Sequence, residues 1–144
     1  MEIKLLDNPH GLVQYQPFVE NKGDAGIDLI TMEDVFVFPG EINKINTGVC
    51  VKIPHGNFGL VTHRSSMAFK LGCICSTGII DSSYRGEIKL VFFNLTKEAV
   101  FVKKGSRVAQ LVVIPFNVKE SYLTEVDTLE ETVRGSNGFG STGV

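Results

Sequence analysis

The sequence predicts an all-β domain, of the sandwich, jelly-roll or barrel kind, with one short helix and a flexible glycine-rich C-terminal arm. Three observations predict it. Apolar residues recur mostly with period two, as in Ile45, Thr47, Val49, Val51 and Ile53, while Asn46, Gly48, Cys50 and Lys52 face the other way. Similar short runs rich in Val, Ile and Phe are punctuated at Pro39-Gly40, Pro54, Gly56, Gly86 and Gly105. Many short strands separated by such turns make sheets that pack or close on themselves. The last eleven residues, RGSNGFGSTGV, then change composition sharply, with glycine at 135, 138, 140 and 143.

The expected strands run over 34–38, 45–53, 58–62, 88–95, 99–102 and 108–114, each an apolar run bounded by turn residues. The expected helix covers 66–71, with Ser65 as N-cap and Gly72 where a helix C-terminus often places glycine. Residues 122–133 fit two states. Apolar residues at 122, 126, 129 and 133 have helical spacing, but Thr124, Val126, Thr128, Thr132 and Val133 are β-branched and equally suit an extended arm. The chain thus divides into a β core, 1–117, and an arm, 118–144, that ends in the glycine-rich motif 134–143. A passive tail needs no Arg, aromatic and Ser-Thr pair among its glycines. These groups hold an anion, cover a flat ring and bring backbone N–H groups close to phosphate, so the arm is expected to act as a lid.

Composition limits the partners. A chain of 144 residues with 43% apolar content supports one core and excludes general disorder. Fourteen Lys and Arg against sixteen Asp and Glu, a formal charge of −2, argue against nucleic-acid binding, so an anionic partner must be met locally. Three cysteines cannot make the even-numbered framework of a small secreted domain, which points to a reducing, cytoplasmic setting. The start MEIKLLDNPH lacks a basic segment followed by an apolar one, and no run is long enough to span a bilayer, so no membrane association is expected. Cys73 and Cys75 are spaced i, i+2 and the three histidines are scattered, so no metal site is expected from side chains, and both cysteines should pack inward from a strand.

Four further clusters stand out: DAGIDL at 24–29, RSSMA at 64–68, GIIDSSYRGE at 78–87 and GSRVAQLV at 105–112. Asp81 lies between Ile79-Ile80 and the polar turn Ser82-Ser83, so a hairpin would place it at the sheet rim, partly desolvated. A carboxylate with an ordinary pKa of about 3.9 is ionised there and can orient and deprotonate water. Tyr84 offers a flat ring that could stack on a ligand or pack as a cross-strand aromatic at the hairpin base. Arg64, Ser65 and Ser66 precede the helix and can converge on an anion, Arg64 adding a delocalised charge. Gln110 lies in an otherwise apolar strand, where its amide needs a partner.

In order and spacing, these four clusters and the terminal RGSNGFGSTG resemble the five motifs of the homotrimeric dUTPases, from about residue 20 to the end. The resemblance implies a jelly-roll-like subunit that hydrolyses dUTP to dUMP and pyrophosphate. It makes Asp81 the residue that positions the water attacking the α-phosphorus, Tyr84 the residue stacking on the sugar, and Phe139 the cover over uracil. Substrate contacts are implied for Arg64, Ser65, Ser66, Gly78, Ile79, Ile80, Lys89, Gln110, Arg134, Gly140, Ser141 and Thr142, with Asp28 and Arg107 pairing in support. The hairpin main chain would pair with the uracil edge, since the position six before Asp81, Asn in some members, is Cys75. Mg²⁺ is implied as a cofactor bound mainly through the substrate triphosphate, with few or no protein ligands. The assembly implied is a C3 homotrimer with sites at subunit junctions, each capped by a neighbour's arm.

Two rivals are weighed. The related dCTP deaminases share the fold and an Arg-Ser-Ser motif, but their catalytic Glu falls ten positions after the Asp, which here is Val91. A non-catalytic nucleotide-binding module could discard Asp81 or Tyr84, and both are present.

Overall fold

Alternating apolar strands must bury one face, and the chain does so by folding one long antiparallel sheet over a shared core. The computed structural model describes residues 1–6, 23–117, 124–133 and 135–136. The strands are β1 (Glu2–Leu5), β2 (Gly26–Ile30), β3 (Val35–Val37), β4 (Ile42–Lys52), β5 (Asn57–His63), β6 (Cys73–Ile80), β7 (Glu87–Asn94), β8 (Val100–Val102) and β9 (Arg107–Pro115), with one helix, α1 (Ser65–Leu71). Seven of them form a sheet in the order β1-β4-β7-β6-β5-β9-β2, and β3 pairs with β8 separately. One apolar cluster takes Ile45, Ile88 and Phe92 from one half of the sheet and Leu29, Val61 and Leu111 from the other, with Val37 and Val102 from the small sheet. The fold is all-β and jelly-roll-like.

The hinge of this arrangement is β6. Its first residues ladder with β7 through Cys73↔Asn94, Ile74↔Phe93 and Cys75↔Phe92. It then leaves β7 and pairs with β5, from Thr62↔Ser76 to Gly59↔Ile80, across an irregularity between Val61 and Thr62. One strand therefore belongs to both halves of the sheet, and a fork opens between β6 and β7. Cys73 and Cys75 are fully buried as expected, and burial pushes the Cys75 thiol up to about 12, with the Cys73 thiol raised for the same reason.

Buried polar groups are paired, as a packed core requires. Thr47 donates from Oγ1 to the Ile88 carbonyl at 2.6 Å. Asn94 is the main tie to the small sheet: its Nδ2 donates to the carbonyls of Val37 and Glu98, both at 2.7 Å, and its Oδ1 accepts from the Thr96 backbone N–H at 2.8 Å.

Several expectations need correction. The N-cap of α1 is Arg64, not Ser65, and no side chain caps it; Gly72 does close the helix in the left-handed region, at φ 60°. Gly48 and Cys50 are buried rather than solvent-facing, because β4 carries a register irregularity there, β1 covers its outer edge and Met32 packs over Gly48. Of the two states open to 122–133, the described residues 124–133 show no helix. The strands β1 and β2 and the full length of β6 were not anticipated.

Candidate functional site

Most of the predicted residues that the structure describes line two clefts, while Ser66, Gly78 and Arg107 lie beside them without lining either. The first, about 260 Å³, is lined by Asp24, Ala25, Gly26, Asp28, Arg64, Ser65 and Gln110. Its floor is an ion-pair cluster on the rigid β2–β9 ladder. Asp28, only 8% exposed, accepts from Arg64 Nε at 3.0 Å and from Arg107 Nη1 at 3.3 Å. One carboxylate thus aligns two guanidiniums, as bidentate-capable donors favour. The expected pairing of Asp28 with Arg107 is present, and Arg64, expected only as an anion ligand, shares it. Arg64 is partly exposed and retains donors that the Asp28 contact does not use.

Gln110 is opposite Asp28 in the β2–β9 register and half-buried, and its Nε2 donates to the His63 carbonyl at 3.4 Å. The amide oxygen lies where a side chain on Gly26 would stand, so any larger residue at 26 would push Gln110 out of the cleft. Ser65 and Ser66 open α1, beside Arg64. The site residues that the motif reading left without a role are Gly26 and Asp24; a glycine directly before the Ile27-Asp28 pair was the available signal.

The second cleft, about 250 Å³, is the fork between β6 and β7, lined by Thr77, Ile79, Ile80, Asp81, Tyr84, Glu87, Ile88 and Lys89. Gly78 has φ 84°, a left-handed conformation that lets β6 bulge as it changes partners. Asp81 starts the turn, its carbonyl accepting from the Tyr84 N–H at 3.0 Å. The Tyr84 hydroxyl donates to the Glu87 carbonyl at 3.0 Å and occupies the space a Gly86 side chain would need. Arg85 ties the turn by donating to the carbonyls of Ser82 and Tyr84, each at 2.7 Å. Asp81 is solvent-exposed, a correction to its expected partial desolvation within one protomer, and its carboxylate has no partner among the described residues. Glu87 was also missed: its Oε1 accepts from the Gly48 N–H at 2.9 Å and so fixes the base of the hairpin.

The two clefts share no lining residue. Ile80 pairs with Gly59 near the start of β5, whereas Arg64 follows His63 at its end. At 3.2–3.4 Å per residue, Asp81 and Arg64 are separated by roughly 20 Å along the strand. Arg134, Phe139, Gly140, Ser141 and Thr142 lie outside the described residues. Among the described residues no three His, Cys, Asp or Glu side chains converge to hold a metal, and no helix is long and apolar enough to cross a membrane.

Comparison with known proteins sets this geometry in a family. A model of the dUTPase family matches residues 16–143. The deoxyuridine 5'-triphosphate nucleotidohydrolase of Zymomonas mobilis is 42% identical over 100% of this chain and 97% of its own length. Among solved structures, the Staphylococcus bacteriophage 80alpha dUTPase with dUPNHPP superposes with a TM-score of 0.84 at 32% identity, over 99% of this chain and 98% of that one. A mutant dUTPase of S. aureus phage phi11, described with a structural Mg(II) ion, has a TM-score of 0.77 at 27% identity, over 90% of this chain and 98% of that one.

Proposed function

This chain belongs to the dUTPase family, and on that premise we propose that it hydrolyses dUTP to dUMP and pyrophosphate. The observation that carries the reading is the Asp81 carboxylate, exposed at the mouth of an open-edged fork without a partner among the described residues, and three residues from Tyr84. Asp81 holds a water molecule and takes its proton as the oxygen attacks the α-phosphorus; the bond to the bridging oxygen breaks and pyrophosphate leaves. Tyr84 lies against the deoxyribose, held at its far end by the Glu87 carbonyl. The unladdered main chain of the fork, with Gly78, Ile79, Ile80 and Lys89 around it, supplies donors and acceptors for the uracil edge.

Arg64, Ser65 and Gln110 receive the phosphates in the other cleft, with Ser66 following them at the start of α1, and the Asp28 carboxylate keeps the Arg64 guanidinium oriented. Because one protomer holds these groups roughly 20 Å from Asp81, a single chain cannot present both to neighbouring phosphates of one nucleotide. That separation supports a homotrimer in which each site combines clefts from different subunits. Its lid is a C-terminal arm carrying Arg134, Phe139 over the base, and Gly140, Ser141 and Thr142 near phosphate.

In this reading Mg²⁺ arrives on the triphosphate, where it would neutralise charge and fix the triphosphate's shape. A cytoplasmic location, with neither nucleic acid nor membrane as partner, agrees with the charge balance.

The test is pyrophosphate release from dUTP and the four canonical dNTPs, with ammonia release from dCTP measured in parallel. Release confined to dUTP is expected. Ammonia from dCTP would support the deaminase rival, and binding without turnover the non-catalytic module.

A further inference from the structure

We infer that Thr77 is a specificity-determining residue of the hairpin cleft, its hydroxyl acting as a strut that holds the β6–β7 fork at an opening too narrow for a 5-methylated pyrimidine. The inference deepens the proposed dUTP-hydrolysing reading and depends on it.

The strut follows from how the fork is built. Strands β6 and β7 ladder through three pairs and stop at Cys75↔Phe92; in continued register, Thr77 would lie opposite Leu90. Instead β6 turns to β5, where Val61 pairs with Gly78 and Thr62 with Ser76, so that Thr77 is the extra residue of a bulge. A bulged residue is free of ladder duty, and Thr77 uses its side chain: Oγ1 donates to the Lys89 carbonyl at 2.7 Å. Two residues along β7, the Glu87 carbonyl accepts from the Tyr84 hydroxyl at 3.0 Å. Carbonyls at i and i+2 of a strand point to the same edge, so both β7 carbonyls facing the fork are taken by side chains, Lys89's from across the gap by Thr77 of β6 and Glu87's by Tyr84 of the connecting turn.

The Thr77 bridge sets a width. Laddered strands are about 4.8 Å apart and leave no room for a ring between them. Strands bridged by a side chain stand farther apart, and both Thr77 and Lys89 line the resulting space of about 250 Å³. Tyr84 ties the connecting turn near Asp81 to the start of β7, and Thr77 alone crosses from β6 to β7, at the closed end where the strands begin to part. A gap fixed there by a 2.7 Å hydrogen bond cannot widen by a methyl group without breaking the bond. A hydroxyl is required for this; the branched shape alone does not supply it.

Thr77→Val keeps the shape and removes the donor. Measured on the full-length protein, it should keep the melting temperature within a few degrees, and any change in dUTP turnover should be smaller than the change in discrimination. The ratio of kcat/KM for dTTP to that for dUTP should rise by about five- to tenfold, the scale of one net hydrogen bond. Thr77→Ser, which keeps the donor, should retain the wild-type ratio. An unchanged ratio in Thr77→Val, or an equal shift in Thr77→Ser, overturns the strut, because a purely structural role lowers stability without moving discrimination. Thr77→Ala is read in the same way should the Val variant fold poorly. No dUTP turnover in the wild-type protein would remove the parent reading and the strut together, whereas normal wild-type turnover with an unmoved ratio removes the strut alone.

Discussion

The two clefts are built on opposite principles. The Asp28 cleft is charged and preorganised: Asp28 is buried in the β2–β9 ladder and holds Arg64 at 3.0 Å and Arg107 at 3.3 Å, so its charges are oriented before any ligand arrives. The hairpin cleft is open at its edge, where the Thr77 hydroxyl bridges two strands that no longer ladder and Tyr84 ties down the turn. Its one catalytic candidate, Asp81, has no partner among the described residues. Preorganised charge suits a polyanion whose shape varies little, and an open backbone edge suits a base that must be told from close analogues. Changes in the first cleft should therefore register as affinity and stability, and changes in the second as turnover and discrimination.

The largest expected break in that contrast is Asp81→Asn. The amide keeps the size and the turn but cannot accept the water's proton, so kcat for dUTP should fall by about 10³–10⁴-fold while nucleotide binding changes little. Single-turnover pyrophosphate release alongside equilibrium binding of a non-hydrolysable dUTP analogue separates the two effects. Substantial residual turnover would remove Asp81 from its role and leave the hairpin as a binding element only.

Asp28→Ala probes the other side. It removes a carboxylate held between two guanidiniums and leaves positive charge facing positive charge in a half-closed site. With Arg64 and Arg107 partly exposed, solvent screens part of the loss, and about 2 kcal/mol of stability is expected to disappear, seen as a lower denaturant midpoint at constant m-value. KM for dUTP should rise more than kcat falls, as Arg64 loses its orientation. A fall in kcat alone would mean that the two clefts are not divided as described.

How far the chain could be read in advance follows the same division. Strands β3, β4, β5, β7, β8 and β9 and the helix were expected within a few residues, because period-two alternation and glycine stops are local signals. Strand β1 does alternate, with Ile3 and Leu5 set against Glu2 and Lys4, but over only four residues, all exposed at a sheet edge, too few for the pattern to stand out. The burial of Gly48 and Cys50 depends on β1 and Met32 covering the outer face of β4, which pattern cannot show. The candidate residues themselves were legible as motifs. Their division between opposite ends of β5 was not, since motif order along a chain carries no distance, and the partner change of β6 that opens the fork is a tertiary event.

The smallest predicted effect concerns the point where the fork begins. Cys75 is 1% exposed, and burial raises its thiol from an ordinary 9.0 to about 12, a hydrogen bond with the Val91 backbone offsetting part of the rise. Above about pH 9 the unfolded chain releases this proton while the folded chain keeps it. The unfolded state then binds fewer protons, so stability falls as pH rises, by roughly 1.4 kcal/mol per pH unit for this one group, until the folded thiol also ionises near 12. Cys73 acts in the same direction. Tyrosines and lysines also titrate in this range, so the informative quantity is the difference between the wild-type protein and Cys75→Ala. The variant should be less stable at pH 7 through lost packing but should show the shallower decline between pH 9 and 10.5 in denaturant titrations. Parallel declines would mean that solvent reaches the Cys75 thiol despite its 1% exposure, so that the strands already breathe where the fork begins, in contrast to the ladder that holds Asp28.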